Sequence, residues 1–148
     1  NDMVTVLANG MAGNAAITGE GADFDVFMKA LNTVNISLCR KIAGDGEGAT
    51  KLLECTATGA DTLQAAKIAA KSVITSSLFK AAMFGADANW GRVLCAIGYS
   101  GAMLDVNKVD VDFASVAGKI AVCRDGAGVD DISVTRFGKT SDLMALTQ

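Results

Sequence analysis

The residues best suited to chemistry lie between Gly44 and Lys51, where the sequence reads G-D-G-E-G-A-T-K. Three glycines alternate with Asp45 and Glu47, and glycine adopts backbone angles that other residues reach only with strain. This run, called the glycine loop below, therefore predicts a sharp bend that carries two carboxylates. Two carboxylates repel a phosphate but suit a cation, such as the ammonium group of an amino acid. An ordinary helix-to-strand turn with solvated acids explains the same residues, and both interpretations stay open on this evidence.

The glycine loop fits neither of two common phosphate-binding motifs. A P-loop needs Gly-Lys followed by Ser or Thr, whereas Lys51 follows Thr50 here. A dinucleotide-binding turn follows a strand and opens a helix. Here a helix is predicted before the loop and a strand after it, which is the reverse order.

Composition excludes several classes of protein. The chain has 148 residues, is 51% hydrophobic and 20% charged, and carries a net charge of −3, which is typical of one globular domain or of one domain with part of a second. The sequence has no cluster of basic residues of the kind that indicates nucleic-acid binding. No apolar run approaches the roughly 20 residues of a membrane helix, and the first residues do not resemble a signal peptide.

The side chains also limit the chemistry. The chain contains no histidine, which excludes Ser-His and Cys-His nucleophile pairs within it and makes a zinc site unexpected. The four cysteines form no C-x-x-C pair and are predicted to be free core thiols. They are Cys39, Cys55, Cys95 and Cys123. Asp105, Asp110 and Asp112 could suggest a metal, but the last two fit the wet side of a strand, so no metal is predicted.

The first half of the chain predicts a strand, a loop, two helices and a second strand. A short strand is expected over Asp2 to Ala8, followed by a loop to Ala22. Asp23 then suits the N-cap of a helix that ends at Gly44. Its apolar face is spaced at three and four residues. That face comprises Phe27, Leu31, Val34, Leu38 and Ile42. A strand over Thr50 to Thr58 and a helix capped by Asp61 should follow.

The second half predicts further short elements and hence a layered α/β arrangement. A helix is expected over Ser77 to Phe84, and Asn89 can cap the next one. Trp90, at the start of that helix, could line an active site or simply be buried at a capped helix start. A strand with one wet face is predicted over Val109 to Phe113, and a neighbouring strand over Lys119 to Cys123. Residues 130–148 cannot be placed.

Several of these segments resemble the ornithine acetyltransferases. DGEGATK at Asp45 to Lys51 resembles the acidic glycine loop of that family, and FGADANWGRVLCAIGYSG at Phe84 to Gly101 resembles a long block in it. VTVLANG after Asn1-Asp2 and N-K-V-D at Asn107 to Asp110 are similar to two further family segments. The pieces occur in the family's order and span about residues 1 to 128.

The resemblance implies a fold and a division of the chain. The expected fold is part of an α+β layered sandwich with αββα architecture. Residues 1–104 should belong to the catalytic α/β body and residues 105–148 to the start of the C-terminal portion, with the tail 129–148 unplaced. The family's closing substrate-binding segment is not recognisable in that tail.

The resemblance also implies a reaction. Family members cleave themselves into an α-chain and a β-chain, and the threonine at the new N-terminus carries acetyl from N-acetylornithine to glutamate in arginine biosynthesis. The resemblance therefore also implies a cytoplasmic protein. Glu47 corresponds to the family acid that contacts substrate. No residue of this chain corresponds to the nucleophile, since Thr5 lies within the predicted strand. The chain therefore resembles a β-chain fragment, expected to be inactive alone and to pair with the α-chain in an αβ hetero-oligomer. No cofactor is expected, although some members also take acetyl from acetyl-CoA.

Two rival interpretations belong to other classes. The chain could be a module that binds amino acids without catalysis and keeps only the Glu47 loop. It could also be a structural or interaction domain, for which its apolar composition is weak support. A titration with ornithine and acetylornithine separates the first rival from a fragment that holds half a site.

Overall fold

The computed structural model describes residues 2–129 and the backbone of residues 142–147. The chain divides into two compact units, Asn1–Glu47 and Gly48–Gln148, and the boundary lies within the glycine loop. This division follows contacts within the chain. The boundary predicted near residue 104 concerns parts of the family's protein and stays a prediction.

The first unit contains one helix, α1, over Ala22–Gly44. Its end agrees with the predicted end, whereas its N-cap is Gly21 rather than Asp23. Asp23 lies in the first turn of the helix and Lys41 in the last. Each charge is opposite in sign to the nearer end of the helix dipole, so both interactions are favourable. None of the residues of α1 is buried, so packing of the predicted apolar face is not seen among the described residues.

The strand predicted over Asp2 to Ala8 is wrong, because these residues adopt no regular structure. A strand is held by hydrogen bonds to a neighbouring strand, and the described part of the first unit offers none. Alternation of apolar residues cannot reveal whether such a neighbour is present. The loop predicted after Ala8 is confirmed, since residues up to Gly21 lie in turns or irregular backbone.

A mixed five-stranded sheet forms the centre of the second unit. Its strands are β1 (Glu54–Thr58), β2 (Asp110–Ser115), β3 (Gly118–Arg124), β4 (Ala127–Gly128) and β5 (Asp142–Thr147). Their order is β1-β5-β2-β3-β4, with β1 parallel to β5 and the other pairs antiparallel. The β2–β3 hairpin agrees with the sequence prediction. Strand β1 begins later than the predicted Thr50, and β5 lies in the segment that the sequence left unplaced.

Three short helices pack against this sheet, each with a side-chain cap. They are α2 (Leu63–Thr75), α3 (Ser77–Phe84) and α4 (Trp90–Gly98). The cap of α2 is Thr62, whose hydroxyl accepts the Ala65 N–H at 3.0 Å, and not the predicted Asp61. The predicted cap of α4 is confirmed: Asn89 Oδ1 accepts the Arg92 N–H at 3.1 Å. The bounds of α3 agree with the prediction at both ends.

The core of the second unit lies between these helices and strands β2 and β3. Its largest fully buried side chains share an apolar character and come from both layers. They are Phe79, Val73, Val93, Val111, Val122 and Cys123. Burying an aliphatic or aromatic side chain of this size stabilises a fold by about 1.5–3 kcal/mol. The second unit therefore has the core that the described part of the first unit lacks.

None of the helices over the described residues is long and apolar enough to cross a lipid bilayer.

Candidate substrate cleft

The glycine loop begins where α1 ends. Gly44 is the last helical residue, and the N–H of Asp45 still donates to the carbonyl oxygen of Lys41 at 3.0 Å. Gly48 then has φ +73°, in the left-handed region that glycine reaches without strain. Glycine is required there for its backbone angle and not for space, because a Cβ at Gly48 would meet nothing within 4 Å. The predicted bend is thus present.

An open cleft of about 850 Å³ lies at this end of α1. It is lined by the end of the helix, by the loop and by a residue from the start of the chain. The lining residues are Asp2, Lys41, Ile42, Gly44, Asp45, Gly46 and Glu47. Its volume is within the range of pockets that hold small ligands. The loop acids predicted from the sequence therefore meet in one concave surface.

The charges of the cleft have no ionic partners among the described residues. Three acidic residues and one lysine line it, and all four side chains are exposed. The ion pairs present in the described part of the chain lie elsewhere. The cleft thus offers both anionic and cationic groups to a ligand, with the anionic groups in excess.

A second group of charges lies on strands β2 and β3 and is paired throughout. This charge cluster comprises Asp110, Asp112, Lys119 and Arg124. Asp112 is only 3% exposed, and its carboxylate accepts hydrogen bonds from Arg124 Nη2 at 2.6 Å and Lys119 Nζ at 3.0 Å. Arg124 Nη1 also donates to the carbonyl oxygens of Val111 and Cys123, at 3.3 and 2.8 Å.

The wet strand face predicted from the V-D-V-D-F pattern is therefore wrong at Asp112, because cross-strand cations cover it. Burial alone raises the pKa of the Asp112 carboxyl, but hydrogen bonds from Arg124 and Lys119 outweigh it and hold that pKa below its ordinary value. Asp110 accepts the Asp125 N–H at 3.0 Å and lies 3.9 Å from Arg124 Nε. The two strand acids are thus engaged in structural contacts.

The segment around Trp90 supports the structural interpretation of that residue. Asn89 caps α4 and its amide donates to Asp87 at 3.0 Å. Trp90 is partly buried against the core, and a Cβ at Gly128 would lie 2.7 Å from its Cζ2 atom. The indole thus packs on the backbone of β4, at a place where only glycine fits.

The cysteines are free thiols, as predicted, but only some of them lie in the core. Cys123 is buried and Cys55 partly so, whereas Cys39 and Cys95 are exposed. Burial raises the pKa of Cys55 to about 12, and burial followed by the charge of Asp110 raises the pKa of Cys123. Neither of these two thiols is poised as a thiolate nucleophile near neutral pH.

A family model described as the ArgJ family matches residues 1–144 of this chain. The chain belongs to the ArgJ family. Arginine biosynthesis bifunctional protein ArgJ 1 from Clostridium acetobutylicum is 53% identical over 130 residues, which make up 88% of this chain and 32% of the relative. The ArgJ of Symbiobacterium thermophilum is 57% identical over 111 residues, 75% of this chain and 28% of the relative. The chain thus spans about a third of the length of the curated ArgJ relatives it matches.

A solved ArgJ structure has the same fold. The crystal structure of arginine biosynthesis bifunctional protein ArgJ from Bacillus halodurans superposes with a TM-score of 0.82 at 36% identity, covering 99% of this chain and 69% of that chain. The predicted class, a layered mixture of helices and sheet, is confirmed by this match. The resemblance to the ornithine acetyltransferases in the sequence is confirmed at the level of the ArgJ family.

Sequence reasoning found the loop acids but missed two other residues that line the cleft. The sequence could have indicated Lys41, because it lies in the last turn of the helix that ends at Gly44 and is therefore close to the loop. Asp2 carries none, because more than forty residues separate it from the loop and only the fold brings it there. The role predicted for Glu47, contact with substrate, stays a prediction for this ArgJ-family chain.

Proposed function

We propose that this chain is part of an acetyltransferase that moves an acetyl group from N2-acetylornithine to glutamate in arginine biosynthesis. Membership of the ArgJ family supports the pathway, and the cleft supports a charged amino-acid substrate. The observation that carries the proposal is the position of Glu47, which lines the cleft without an ionic partner among the described residues. A free carboxylate there suits the side-chain ammonium group of N2-acetylornithine.

The chemistry of the proposed reaction has two acyl transfers. The hydroxyl oxygen of an N-terminal threonine attacks the acetyl carbonyl carbon, the C–N bond to ornithine breaks, and an acetyl ester forms on the enzyme. The threonine's own amine takes the hydroxyl proton and returns it to the departing amine. The amine of glutamate then attacks the ester carbonyl, the C–N bond of N-acetylglutamate forms and the C–O bond to the threonine breaks, and the proton lost by the glutamate amine returns to the threonine oxygen. Within the proposal this threonine belongs to family sequence outside the 148 residues, so the chain alone should be inactive.

The proposed partner is the α-chain of the same precursor, in an αβ hetero-oligomer formed by autocatalytic cleavage in the cytoplasm. This part of the proposal rests on membership of the ArgJ family. Whether acetyl-CoA also serves as donor is a separate question, answered by supplying it in place of N2-acetylornithine.

The first test is acetyl transfer by the full gene product, measured as N-acetylglutamate formed from N2-acetylornithine and glutamate. Glu47→Gln should raise the KM for N2-acetylornithine about tenfold, because a charge-assisted contact is lost while the shape is kept. Glu20→Gln is the matched control, since Glu20 is exposed but does not line the cleft. Absence of transfer by the wild type rejects the function, and unchanged kinetics of Glu47→Gln remove Glu47 from the site.

A second candidate is a module that binds amino acids without catalysis. The cleft favours it in one respect, because acidic residues and a lysine of this chain line one concave surface. Calorimetric titration of the 148-residue chain with ornithine and N2-acetylornithine is the test. A stoichiometric complex favours the module, whereas lack of binding favours a chain that holds part of a larger site.

A further inference from the structure

Lys41 is the single cationic side chain among the residues that line the cleft. It lies in the last turn of α1, its side chain is exposed, and it makes no ion pair with another described residue. Asp45, four residues later, is the expected partner on a helix surface. The order Lys then Asp is the weaker orientation for such a pair, and no Lys41–Asp45 ion pair is formed.

A purely structural role explains Lys41 only in part. A cation near the C-terminus of a helix is stabilised by the carbonyl end of the helix dipole, by about 0.3–1 kcal/mol at an exposed position. That role needs only a position in the last turn. It does not account for an ammonium group that shares a cleft with three carboxylates and is paired with none of them.

The charge balance of the cleft limits what can enter it. Three carboxylates and the carbonyl end of α1 attract a cation and repel an anion. The proposed donor, N2-acetylornithine, carries an α-carboxylate as well as a side-chain ammonium group. Its carboxylate therefore needs a compensating cation, and Lys41 is the lining residue that supplies one.

We infer that Lys41 binds the α-carboxylate of N2-acetylornithine while Glu47 binds its side-chain ammonium group. This inference rests on the proposed function and adds a specificity-determining residue to it. The site then selects molecules that carry both charges, and it disfavours amines without a carboxylate. Asp2 and Asp45 strengthen the discrimination, because they make the cleft unfavourable for a carboxylate that is not held by Lys41.

The test compares two acetyl donors in the full gene product. One is N2-acetylornithine, and the other is N-acetyl-1,4-diaminobutane, which lacks only the carboxylate. Lys41→Met should raise the KM for N2-acetylornithine about tenfold, the low end for a charge-assisted contact at an exposed site, and should leave kcat nearly unchanged. The KM for the diaminobutane donor should change less than about twofold, because that donor offers Lys41 nothing to bind.

Two further variants control the experiment. Lys29→Met removes an exposed lysine from the same helix, outside the cleft, and should keep wild-type kinetics with both donors. Lys41→Arg keeps the charge and should restore most of the affinity for N2-acetylornithine. An equal change of KM for both donors in Lys41→Met overturns the inference in favour of a structural role. Unchanged KM values overturn it outright.

Failure of the proposed function gives a different result. If the wild-type protein transfers no acetyl group, calorimetric titration with N2-acetylornithine and with the diaminobutane donor replaces the assay. Tighter binding of N2-acetylornithine by the wild type, lost in Lys41→Met, still supports the role of Lys41. Equal affinity of the wild type for the two compounds, or binding of neither, overturns it.

Discussion

The charge cluster on the sheet and the charged residues of the cleft differ most clearly in whether the charges are paired with each other. The charge cluster on β2 and β3 joins two acids to two cations through contacts between 2.6 and 3.9 Å. The cleft at the end of α1 also holds acids and a cation, yet no ion pair joins them. Charges that are paired within the chain are engaged with each other, whereas unpaired charges around a concavity are available to a ligand. The comparison therefore favours a structural role for the first group, and recognition of a substrate by the second group stays a proposal.

The largest expected effect tests the structural half of the comparison. Arg124→Met leaves the Asp112 carboxylate buried with Lys119 as its single cationic partner, and should lower the free energy of unfolding by about 1–2 kcal/mol, because Lys119 still compensates the charge and the Arg124 side chain is 42% exposed. Urea unfolding of the 148-residue chain, followed by circular dichroism, measures it. Lys67→Met is the control, because Lys67 is an exposed residue of α2. A loss no larger than that of the control would mean that the charge cluster contributes no stability.

The next effect is the pH dependence of the stability that the contact between Asp112 and Arg124 contributes. The pKa of Asp112 is lower in the folded chain than its ordinary value, so its contribution to stability is complete above about pH 4. That contribution is lost as the pH falls through the folded-state pKa, because the protonated acid no longer holds its partners. The stability difference between wild type and Arg124→Met should therefore shrink from neutral pH to about pH 3. A difference that stays constant or grows on acidification contradicts this assignment.

The smallest expected effect tests the other half of the comparison. Glu47→Gln removes a charge that has no ionic partner among the described residues and lies in the same short loop as Asp45. The urea midpoint should therefore stay unchanged or rise slightly, because repulsion between like charges is relieved. This variant thereby changes KM without lowering stability, which is the reverse of Arg124→Met. A clear fall in the midpoint would show that Glu47 is a structural residue, and the contrast between the two groups of charges would disappear.

Local signals in the sequence predicted much of the second unit and of the glycine loop. The bounds of α3, the Asn89 cap and the β2–β3 hairpin depend on nearby residues, so their patterns were sufficient. The burial of Asp112 depends on Arg124, which lies across the hairpin, and alternation along one strand cannot show it. Two further features depend on residues far apart in the chain, and local sequence patterns could not predict them either. They are the parallel pairing of β1 with β5 and the presence of Asp2 in the cleft.

The contact between Trp90 and Gly128 gives the chain an optical probe. The sequence contains a single tryptophan, and its indole is partly buried against the core and the backbone of β4. Exposure of that ring to water shifts its emission to longer wavelength, so fluorescence follows the second unit alone and needs no added label. Circular dichroism also includes the 23 residues of α1. Divergence of the two signals during unfolding would therefore show that the helix beside the cleft and the sheet with the charge cluster melt separately.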